Sequence, residues 1–381
     1  MTEAGLSDDE RLDWLRLART EGIGPMTFLS LLAQFDSAAG ALAALPGLAR
    51  RGGAAQQPRI PSRGEAEREA AALARIGGRL IALADPDYPE ALAAIADPPP
   101  VLSVRGDPAL LHGPAIAVVG ARNASANGRR LARTIAEDLA ESGITVVSGM
   151  ARGIDTAAHE GAAARTVAVV AGGIDIVYPP ENRPLIDHIA AHGCVVAEQP
   201  FGTEPQARHF PRRNRIVSGL ARGVVVVEAA LRSGSLITAR MALQQGREVF
   251  AVPGSPLDPR CQGANNLIRQ GATLTESARD VLDGLAGSLQ PLPRPARRAP
   301  PRVAATPVRA APPTAENGAD DLHDRILGLL SHAPIPVDEL IRECQVSVPD
   351  ANAVLLELEL AGRISRSVDN QVALAGDPVR R

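Results

Sequence analysis

Short apolar runs, most of them ending at a glycine, are the most regular pattern along the chain. Each run is rich in valine and largely free of charge, as expected of strands buried on both faces. Segments of helical length with one apolar face separate them, such as Arg129–Ser142 and Thr156–Ala164. This alternation predicts an α/β fold with a doubly wound, extended Rossmann-like parallel sheet. The runs are Ile116–Gly120, Thr145–Gly149, Thr166–Gly173, Cys194–Ala197, Gly223–Glu228 and Glu248–Gly254.

The glycines that end these runs predict a ligand site. The carboxyl ends of parallel strands share one edge of a sheet, and ligands bind in the crevice there. We therefore expect residues far apart in sequence to lie along one rim. These residues are Gly120, Gly149, Gly172, Gly173 and Gly254.

The segment before this sheet predicts small helices. Ser7, followed by Glu10 three residues later, is typical of a helix-capping box. The turn at 22–25 (Gly-Ile-Gly-Pro) resembles a helix-hairpin-helix, whose amides can hold a DNA phosphate, or it is a purely structural turn. A weaker second copy lies at 45–48 (Leu-Pro-Gly-Leu). Further on, Val101–Arg105 is expected to be an edge strand that extends the sheet.

The C-terminal part predicts a linker and a last small domain. Residues 287–320 carry eight prolines, with five arginines against two acidic residues, and are expected to be semi-rigid or disordered. Residues 321–376 predict three helices and a hairpin, the pattern of a C-terminal winged-helix-like domain whose third helix would read DNA. That helix, Pro349–Ala361, holds three acidic residues and no arginine, so we favour a protein-contact or regulatory role.

The pattern as a whole predicts three domains and a linker. The first is a small helical domain of the SAM or helix-hairpin-helix type, and the second is the Rossmann-like domain. The predicted bounds are 1–64, 65–286, 287–320 for the linker and 321–376 for the winged-helix-like domain.

Composition narrows the possible ligands only slightly. All 40 basic residues are arginines, and the net charge of −3 hides local basic clusters, so nucleic acid is not excluded. The three cysteines are widely spaced and predict neither a zinc site nor a disulfide framework, and no metal or cofactor is expected. No apolar run reaches the ~20 residues of a membrane span, and the N-terminus lacks a secretory pattern. We therefore expect a cytoplasmic protein.

Two loops that follow strands have the composition of phosphate sites. In the first, 120–128, backbone amides at a helix N-terminus are joined by the Arg122 guanidinium and the Ser125 hydroxyl. The second, 148–155, places Arg152 on the same rim, with Asp155 expected to cap the next helix. Neither loop has the GxGxxG or Walker A pattern, which counts against a dinucleotide or nucleoside triphosphate site.

No catalytic pair is visible in the sequence. His159 has no identified nucleophile partner and is expected to be packed or hydrogen-bonded. Glu228 stands alone at the end of a strand and could be an acid, a cap or a base. An enzymatic function therefore has weak support.

The segment at 208–215 (Arg-His-Phe-Pro-Arg-Arg-Asn-Arg) is the most informative one. It carries four arginines in eight residues and one of the five phenylalanines of the chain. Positive charge beside an exposed ring suits a groove for single-stranded nucleic acid, where arginine binds phosphate and the ring stacks on a base. In the alternative interpretation, Phe210 fills the core and the arginines are merely solvated.

Seven motifs together resemble the DNA-processing protein A family (DprA, also called Smf), over roughly residues 80–285. Ala121, where Ser or Thr is common, and Asn127, where Tyr is frequent, depart from the family pattern. The motifs are Val119–Arg122, Ser148–His159, Tyr178–Arg183, Phe210–Ile216, Ser233–Ala239, Val252–Gly254 and Gly263–Ile268.

The resemblance implies a mediator without enzymatic activity. Members bind single-stranded DNA in natural transformation, help load the RecA recombinase on it, and act as homodimers through the α/β domain. The family's DNA-contacting arginines correspond to Arg122 and Arg152, and its ring-and-basic motif to Phe210, Arg213, Asn214 and Arg215. With the loops, the candidate DNA-binding residues are Gly120, Arg122, Ser125, Gly149, Arg152, Gly153, Phe210, Arg212, Arg213, Asn214, Arg215, Ser233 and Gly234.

The second hypothesis is a Rossmann-fold nucleotide-binding enzyme of the phosphoribohydrolase type. Those enzymes share the fold type but carry a Pro-Gly-Gly-x-Gly-Thr loop followed by a glutamate, which this sequence lacks. Turnover of a nucleotide monophosphate would favour this hypothesis over DNA binding.

Overall fold

The computed structural model describes residues 5–286, 316–367 and 370–375. They form two compact units: one is built on residues 67–286, and the other combines 7–66 with 316–375. Most of the predicted linker, 287–315, lies outside the described residues. A helix begins at Glu316, inside the range that was predicted as linker.

The N-terminal segment is helical, as predicted. It comprises α1 (Asp8–Ala18), α2 (Pro25–Phe35), α3 (Ala38–Arg51) and α4 (Arg63–Arg75). Ser7 and Glu10 form the predicted capping box at the start of α1. The rings of Trp14 and Phe28 pack edge to face, with 5.0 Å between their centroids, and join α1 to α2.

The second hairpin copy predicted at 45–48 is wrong, because Pro46 lies inside α3. A proline in a helix interior costs roughly 3 kcal/mol. Three apolar side chains on one face of α3 are buried and offset that cost, so packing overrides the local turn signal. They are Leu42, Leu45 and Leu48.

Among the described residues, no single helix is both long and apolar enough to cross a bilayer. Taken together, α2 and α3 reach the required length and apolarity, but a bend of 103° separates them. Phe28, Leu31 and Leu45 of this pair are fully buried. The apolar character of the pair is therefore used for packing within the structure.

Within the described part of the chain, nine strands form one sheet: β1 (Gly78–Ala82), β2 (Val101–Gly106), β3 (Ala115–Gly120), β4 (Thr145–Ser148), β5 (Thr166–Val170), β6 (Cys194–Ala197), β7 (Gly223–Val227), β8 (Glu248–Ala251) and β9 (Thr273–Leu274). Their order is β1-β2-β6-β5-β4-β3-β7-β8-β9. In this order, the seven neighbouring strands that begin with β6 and end with β9 pair in parallel. The direction in which the chain adds strands reverses between β3 and β7. The predicted doubly wound, Rossmann-like sheet is confirmed.

The prediction that Val101–Arg105 is an edge strand is wrong. β2 pairs antiparallel with β1 on one side and with β6 on the other, so β1 forms the edge. Val101, Leu102 and Val104 are all buried, so both faces of β2 are covered. The apolar pattern of a strand shows which of its faces are buried, but it does not show whether another strand pairs with its edge. The pairing of β1 with β2 could therefore not be predicted from this pattern.

Helices cover both faces of the sheet. They are α5 (Glu90–Ala93), α6 (Ala126–Glu141), α7 (Ile154–Ala162), α8 (Arg183–His192), α9 (His209–Leu220), α10 (Gly234–Gln244), α11 (Gln262–Arg269) and α12 (Ala278–Leu285). Val119 and Val226 belong to the core on one face, and Val118 and Val225 to the core on the other. Successive residues of one strand thus point into two different cores, which explains the uninterrupted valine runs.

The C-terminal segment is a winged helix, as predicted. Its helices are α13 (Glu316–Leu329), α14 (Val337–Cys344) and α15 (Val348–Leu360), and its strands are β10 (Ile335–Pro336), β11 (Ile364–Arg366) and β12 (Gln371–Leu374). The strands pair antiparallel in the order β10-β12-β11. Ile326, Leu340 and Leu355 bring the three helices together in one core.

Gly120, the last residue of β3, sits where two backbones approach closely. A Cβ added there would lie 1.9 Å from the Val227 carbonyl oxygen and 2.6 Å from Ile154 Cγ1. We expect Gly120→Ala to lower the free energy of unfolding by about 1–3 kcal/mol, measured by urea denaturation. Gly113→Ala, where nothing lies within 4 Å, is the matched control. Equal stability of the two variants would contradict this packing.

Candidate nucleic-acid interface

The loops at the carboxyl ends of β3, β4 and β7, together with the start of α9, enclose an open groove of about 550 Å³. We call it the switch-point groove, because it lies where the strand order reverses. Gly120 and Gly149 line it, as the rim prediction requires, whereas Gly172 lines a smaller neighbouring cavity of about 50 Å³. Gly173 and Gly254 line neither.

An arginine and two aromatic rings meet at the mouth of the groove. The Arg122 guanidinium carbon lies 5.1 Å from the centroid of the Phe210 ring. The ring of Tyr178 packs edge-on against Phe210 at 5.7 Å, and Tyr178 is 49% exposed. A cation and an accessible ring side by side are the chemistry that binds a phosphate and stacks on a base. Phe210 is partly exposed, so it does not plug the core.

Tyr178 was missed as a site residue by sequence reasoning. It lies in a motif, Tyr178–Arg183, that carried the family resemblance, and it is one of only two tyrosines in the chain. Because tyrosine is so rare in this chain, its presence in that motif could have marked Tyr178 as a candidate site residue.

Arg152 lies on the same rim as Arg122, as predicted, and both line the smaller cavity. Its guanidinium is exposed and forms an ion pair with Glu181. The side-chain hydrogen bond between them raises the pKa of Arg152 and lowers the pKa of Glu181. A phosphate approaching Arg152 therefore meets a charge that is already partly compensated.

The four arginines of the 208–215 segment divide into two that are exposed and two that are buried. Residues 209–220 form a helix, in which side chains three or four positions apart share a face. One face of this helix is directed towards the core and the other towards solvent. Arg208 and Arg212 are exposed, whereas Arg213 and Arg215 are buried. Of the three arginines of this segment that were predicted to bind DNA, Arg212 presents its side chain to solvent, whereas Arg213 and Arg215 do not.

Both buried arginines are bound within the protein. Arg213 Nη1 donates to the Val169 carbonyl oxygen at 2.8 Å and also to that of Gly149. Arg215 is paired with Asp97 at 3.1 Å and with Glu198. Burial lowers the pKa of Arg213 to about 10.

The far wall of the groove is formed by polar groups and further arginines. Asn214 is partly exposed, and its side-chain amide donates to the Gly234 carbonyl oxygen at 3.4 Å. Ser233 caps α10, and its hydroxyl lies 2.7 Å from that of Ser235. Two arginines that sequence reasoning did not select also line this wall. They are Arg232 and Arg260.

The N-terminus of α6 does not offer the anion site that the sequence predicted. Glu228 accepts a hydrogen bond from the Ser125 amide at 2.8 Å and another from the Ser125 hydroxyl. The same hydroxyl accepts from the Gly128 amide at 2.9 Å. A protein carboxylate therefore occupies the place where a Rossmann fold commonly binds a phosphate. The predicted contact of Ser125 with an external phosphate is corrected to a contact with Glu228.

The second loop is held by a buried carboxylate. Asp155 does not cap α7, because Gly153 occupies that position. Its carboxylate instead accepts from the amides of Gly149 at 3.2 Å and Ala151 at 3.3 Å. Gly153 has a φ of +80°, and a Cβ there would lie 2.3 Å from the Ala121 carbonyl oxygen. Gly153 and Asp155 therefore shape the loop.

His159 is buried, as predicted, with Nδ1 2.7 Å from the Thr166 hydroxyl. Burial and the nearby charge of Arg213 lower its pKa to about 3. The described residues bring together no group of three or more His, Cys, Asp or Glu side chains that could hold a metal. His159 therefore serves the core of the α/β unit.

The depressed pKa of His159 predicts a pH dependence of stability. Between its ordinary value of 6.5 and about 3, the unfolded chain protonates this ring while the folded chain does not. Its contribution therefore makes the free energy of unfolding fall with falling pH, by at most about 1.4 kcal/mol per pH unit. Urea unfolding of His159→Gln from about pH 7 to about pH 5 should show a shallower fall than wild type. Exposed His112→Gln should keep the wild-type slope, and a wild-type slope in His159→Gln would contradict a neutral buried ring.

The fold and the groove define a Rossmann-like protein with a ligand groove at its topological switch point, accompanied by small helical and winged-helix domains. The family model of DNA recombination-mediator protein A matches residues 79–286. The models of the DprA-like N-terminal HHH domain and the DprA winged helix domain match residues 8–72 and 310–370. The chain belongs to the DNA recombination-mediator protein A (DprA) family.

Two curated relatives are similar over most of their length. The DNA processing protein DprA of Bacillus subtilis (strain 168) is 45% identical over 232 residues, which are 60% of this chain and 76% of the relative. The protein Smf of Escherichia coli (strain K12) is 41% identical over 284 residues, covering 73% of this chain and 72% of the relative.

Two solved structures share both fold and sequence with this chain. DprA from Streptococcus pneumoniae matches with a TM-score of 0.60 and 34% identity, over 74% of this chain and 98% of that one. DNA processing protein A from Helicobacter pylori matches with a TM-score of 0.50 and 31% identity, over 52% of this chain and 93% of that one. The Helicobacter pylori structure is described by its single-stranded DNA binding mode.

Proposed function

We propose that this protein binds single-stranded DNA along the switch-point groove. The observation that carries the proposal is the Arg122–Phe210 pair at the groove mouth, with Tyr178 beside it. The single-stranded DNA binding of the Helicobacter pylori relative supports it. A base needs an accessible ring face for stacking, and its phosphate needs a nearby cation. Phe210 provides the ring and Arg122 the cation, and the two side chains are in contact.

The burial pattern divides the candidate residues by role. We propose that the exposed or partly exposed side chains contact DNA, because a phosphate can reach them. These are Arg122, Arg152, Phe210, Arg212, Asn214 and Ser233, with the Gly234 backbone beside them. The others shape the groove, because they are engaged inside the protein or allow close backbone approach. These are Gly120, Ser125, Gly149, Gly153, Arg213 and Arg215.

The same geometry gives less support to the nucleotide-processing enzyme. In a Rossmann-like enzyme, the α6 N-terminus would hold the nucleotide phosphate, but the Glu228 carboxylate lies there. A second anion in that place would be repelled by Glu228. We therefore propose a binding protein without catalytic turnover.

Removing either partner of the pair tests the DNA site. We expect Arg122→Ala to weaken binding of a single-stranded oligonucleotide and to reduce the dependence of log affinity on log salt by roughly one unit. Phe210→Ala should lower affinity by about 1–3 kcal/mol without changing the salt slope, because it removes stacking rather than charge. Gel shifts over a salt series, on single- and double-stranded oligonucleotides, measure both effects.

Arg279→Ala is the matched control, because this arginine is 87% exposed at its side chain and does not line the groove. It should bind DNA like wild type. Wild-type affinity in both groove variants would reject the groove as the DNA site. Turnover of a nucleotide monophosphate by the wild-type protein would revive the enzyme hypothesis.

We also propose the finer properties that the family resemblance implies. These are loading of RecA onto the bound strand, participation in natural transformation, a cytoplasmic location and homodimerisation through the α/β domain. The domain bounds predicted from the sequence pattern, 1–64, 65–286, 287–320 and 321–376, also remain a proposal, although α13 begins at Glu316, inside the predicted linker. RecA loading is tested by whether the protein increases single-strand-dependent ATP hydrolysis by RecA.

An apolar surface supports the homodimer. Leu231 and Leu274 line a shallow depression of about 510 Å³ beside the edge strand β9. They are 58% and 49% exposed. Exposed leucines beside an open sheet edge are typical of an association surface.

A charge in that surface tests the dimer. We expect Leu274→Arg to shift the protein from dimer to monomer in light scattering, because the arginine would be desolvated in the interface. Leu243→Arg, an exposed leucine of α10 outside the depression, is the control and should leave the mass unchanged. A wild-type mass that is already monomeric would reject the homodimer.

A further inference from the structure

The third helix of the winged helix, α15, is engaged with the N-terminal helical segment. Its Glu357 carboxylate lies between two basic groups: Arg51 Nε at 2.6 Å and His323 Nε2 at 2.9 Å. Arg51 belongs to the end of α3, whereas His323 belongs to α13 of the winged helix itself. Glu357 is only 7% exposed, so its charge is withdrawn from solvent.

A second acidic residue of α15 reaches the same segment. The Thr27 hydroxyl of α2 donates to Glu359 Oε1 at 2.9 Å. Thr27 is buried, and burial raises the pKa of Glu359 while the hydrogen bond from Thr27 opposes that rise. Both acidic side chains in the second half of α15 therefore find partners in the first 51 residues of the chain.

The two backbones also approach closely. A Cβ added to Gly52 would lie 2.0 Å from the Glu357 carbonyl oxygen and 3.0 Å from the Ala361 Cβ. Gly52 has φ −70° and ψ −4°, which any residue adopts. The constraint on this position therefore comes from α15 and not from the local turn.

We propose that α15 is a protein-binding helix whose occupant is the N-terminal helical domain of the same chain. A DNA-reading helix needs an exposed face that attracts phosphate, whereas α15 is acidic and Glu357 and Glu359 are held by the N-terminal segment. Arg51, at the basic end of α3, is complementary in charge to Glu357. Because both partners belong to one chain, the contact forms at a high effective concentration. This proposal does not depend on the function of the switch-point groove.

A single methyl group tests the contact. We expect Gly52→Ala in the full-length protein to accelerate amide hydrogen exchange about tenfold in α15 and in the last turn of α3, because the methyl group clashes only across the contact. Gly47→Ala is the matched control, since its nearest neighbour is the flexible end of Arg51 at 3.6 Å. The exchange rates in α15 should be those of wild type in the control. Wild-type exchange in Gly52→Ala would overturn the proposal.

A charge deletion gives an independent reading should the alanine variant prove unstable. Arg51→Ala removes one of the two basic partners of Glu357, the one that belongs to the N-terminal segment, so exchange in α15 should rise several-fold. The neighbouring Arg50→Ala should leave it unchanged, because the Arg50 side chain is exposed. Equal effects of the two deletions would overturn the specific role of Arg51.

Dilution and DNA distinguish the possible occupants. Protection of α15 should not depend on protein concentration, because the contact lies within one chain. Loss of protection on dilution would show that a second copy supplies the N-terminal domain, which overturns the same-chain assignment. Addition of duplex DNA should leave exchange in α3 unchanged. Faster exchange in α3 with continued protection of α15 would identify α15 as a DNA-reading helix instead.

Discussion

The buried guanidinium of Arg213 is the constraint on which the groove depends. It crosses from α9 to the carbonyl oxygens of Gly149 and Val169, at the ends of two neighbouring strands. A Cβ on Gly149 would lie 2.0 Å from Arg213 Nη1, so a side chain at this position would displace the guanidinium. The nearby Asp155 carboxylate favours the charged form of Arg213 against the effect of burial. The contacts of Arg213 fix the rotation of α9 about its own axis. Phe210 lies one helical turn before Arg213, and this rotation directs it towards the groove.

Two charged residues that face inward thus decide what the groove can bind. Arg213 organises the second loop, and Glu228 binds the Ser125 cap at the N-terminus of α6 behind the first loop. Neither is left to bind a ligand, which leaves Arg122 and the aromatic rings at the mouth as the groups that we propose contact DNA. An open groove with cations and rings on its walls suits a chain of nucleotides better than one enclosed nucleotide.

The sequence predicted the sheet because strands buried on both faces leave uninterrupted valine runs. It predicted part of the rim, including Gly120 and Gly149, because the ends of parallel strands share one edge. It did not predict which arginines of 208–215 face inward, because that depends on the helical rotation of α9. The pairing of Ser125 with Glu228 was also missed, since 103 residues separate them and only the fold brings β7 beside the start of α6. Pro46 shows the opposite case, where a strong local turn signal yields to long-range packing.

The contact between α3 and α15 has a consequence for how the chain can be divided. The α/β unit is an insertion, because the segments on either side of it in sequence belong to one other unit. Deleting residues 1–64 would not remove a separate module but would leave Glu357 and Glu359 without Arg51 and Thr27. Truncation from either end therefore damages the segment that remains at the other end. Domain boundaries drawn at single positions along the sequence will therefore not separate the units that fold cooperatively, because one unit combines two segments that are distant in sequence.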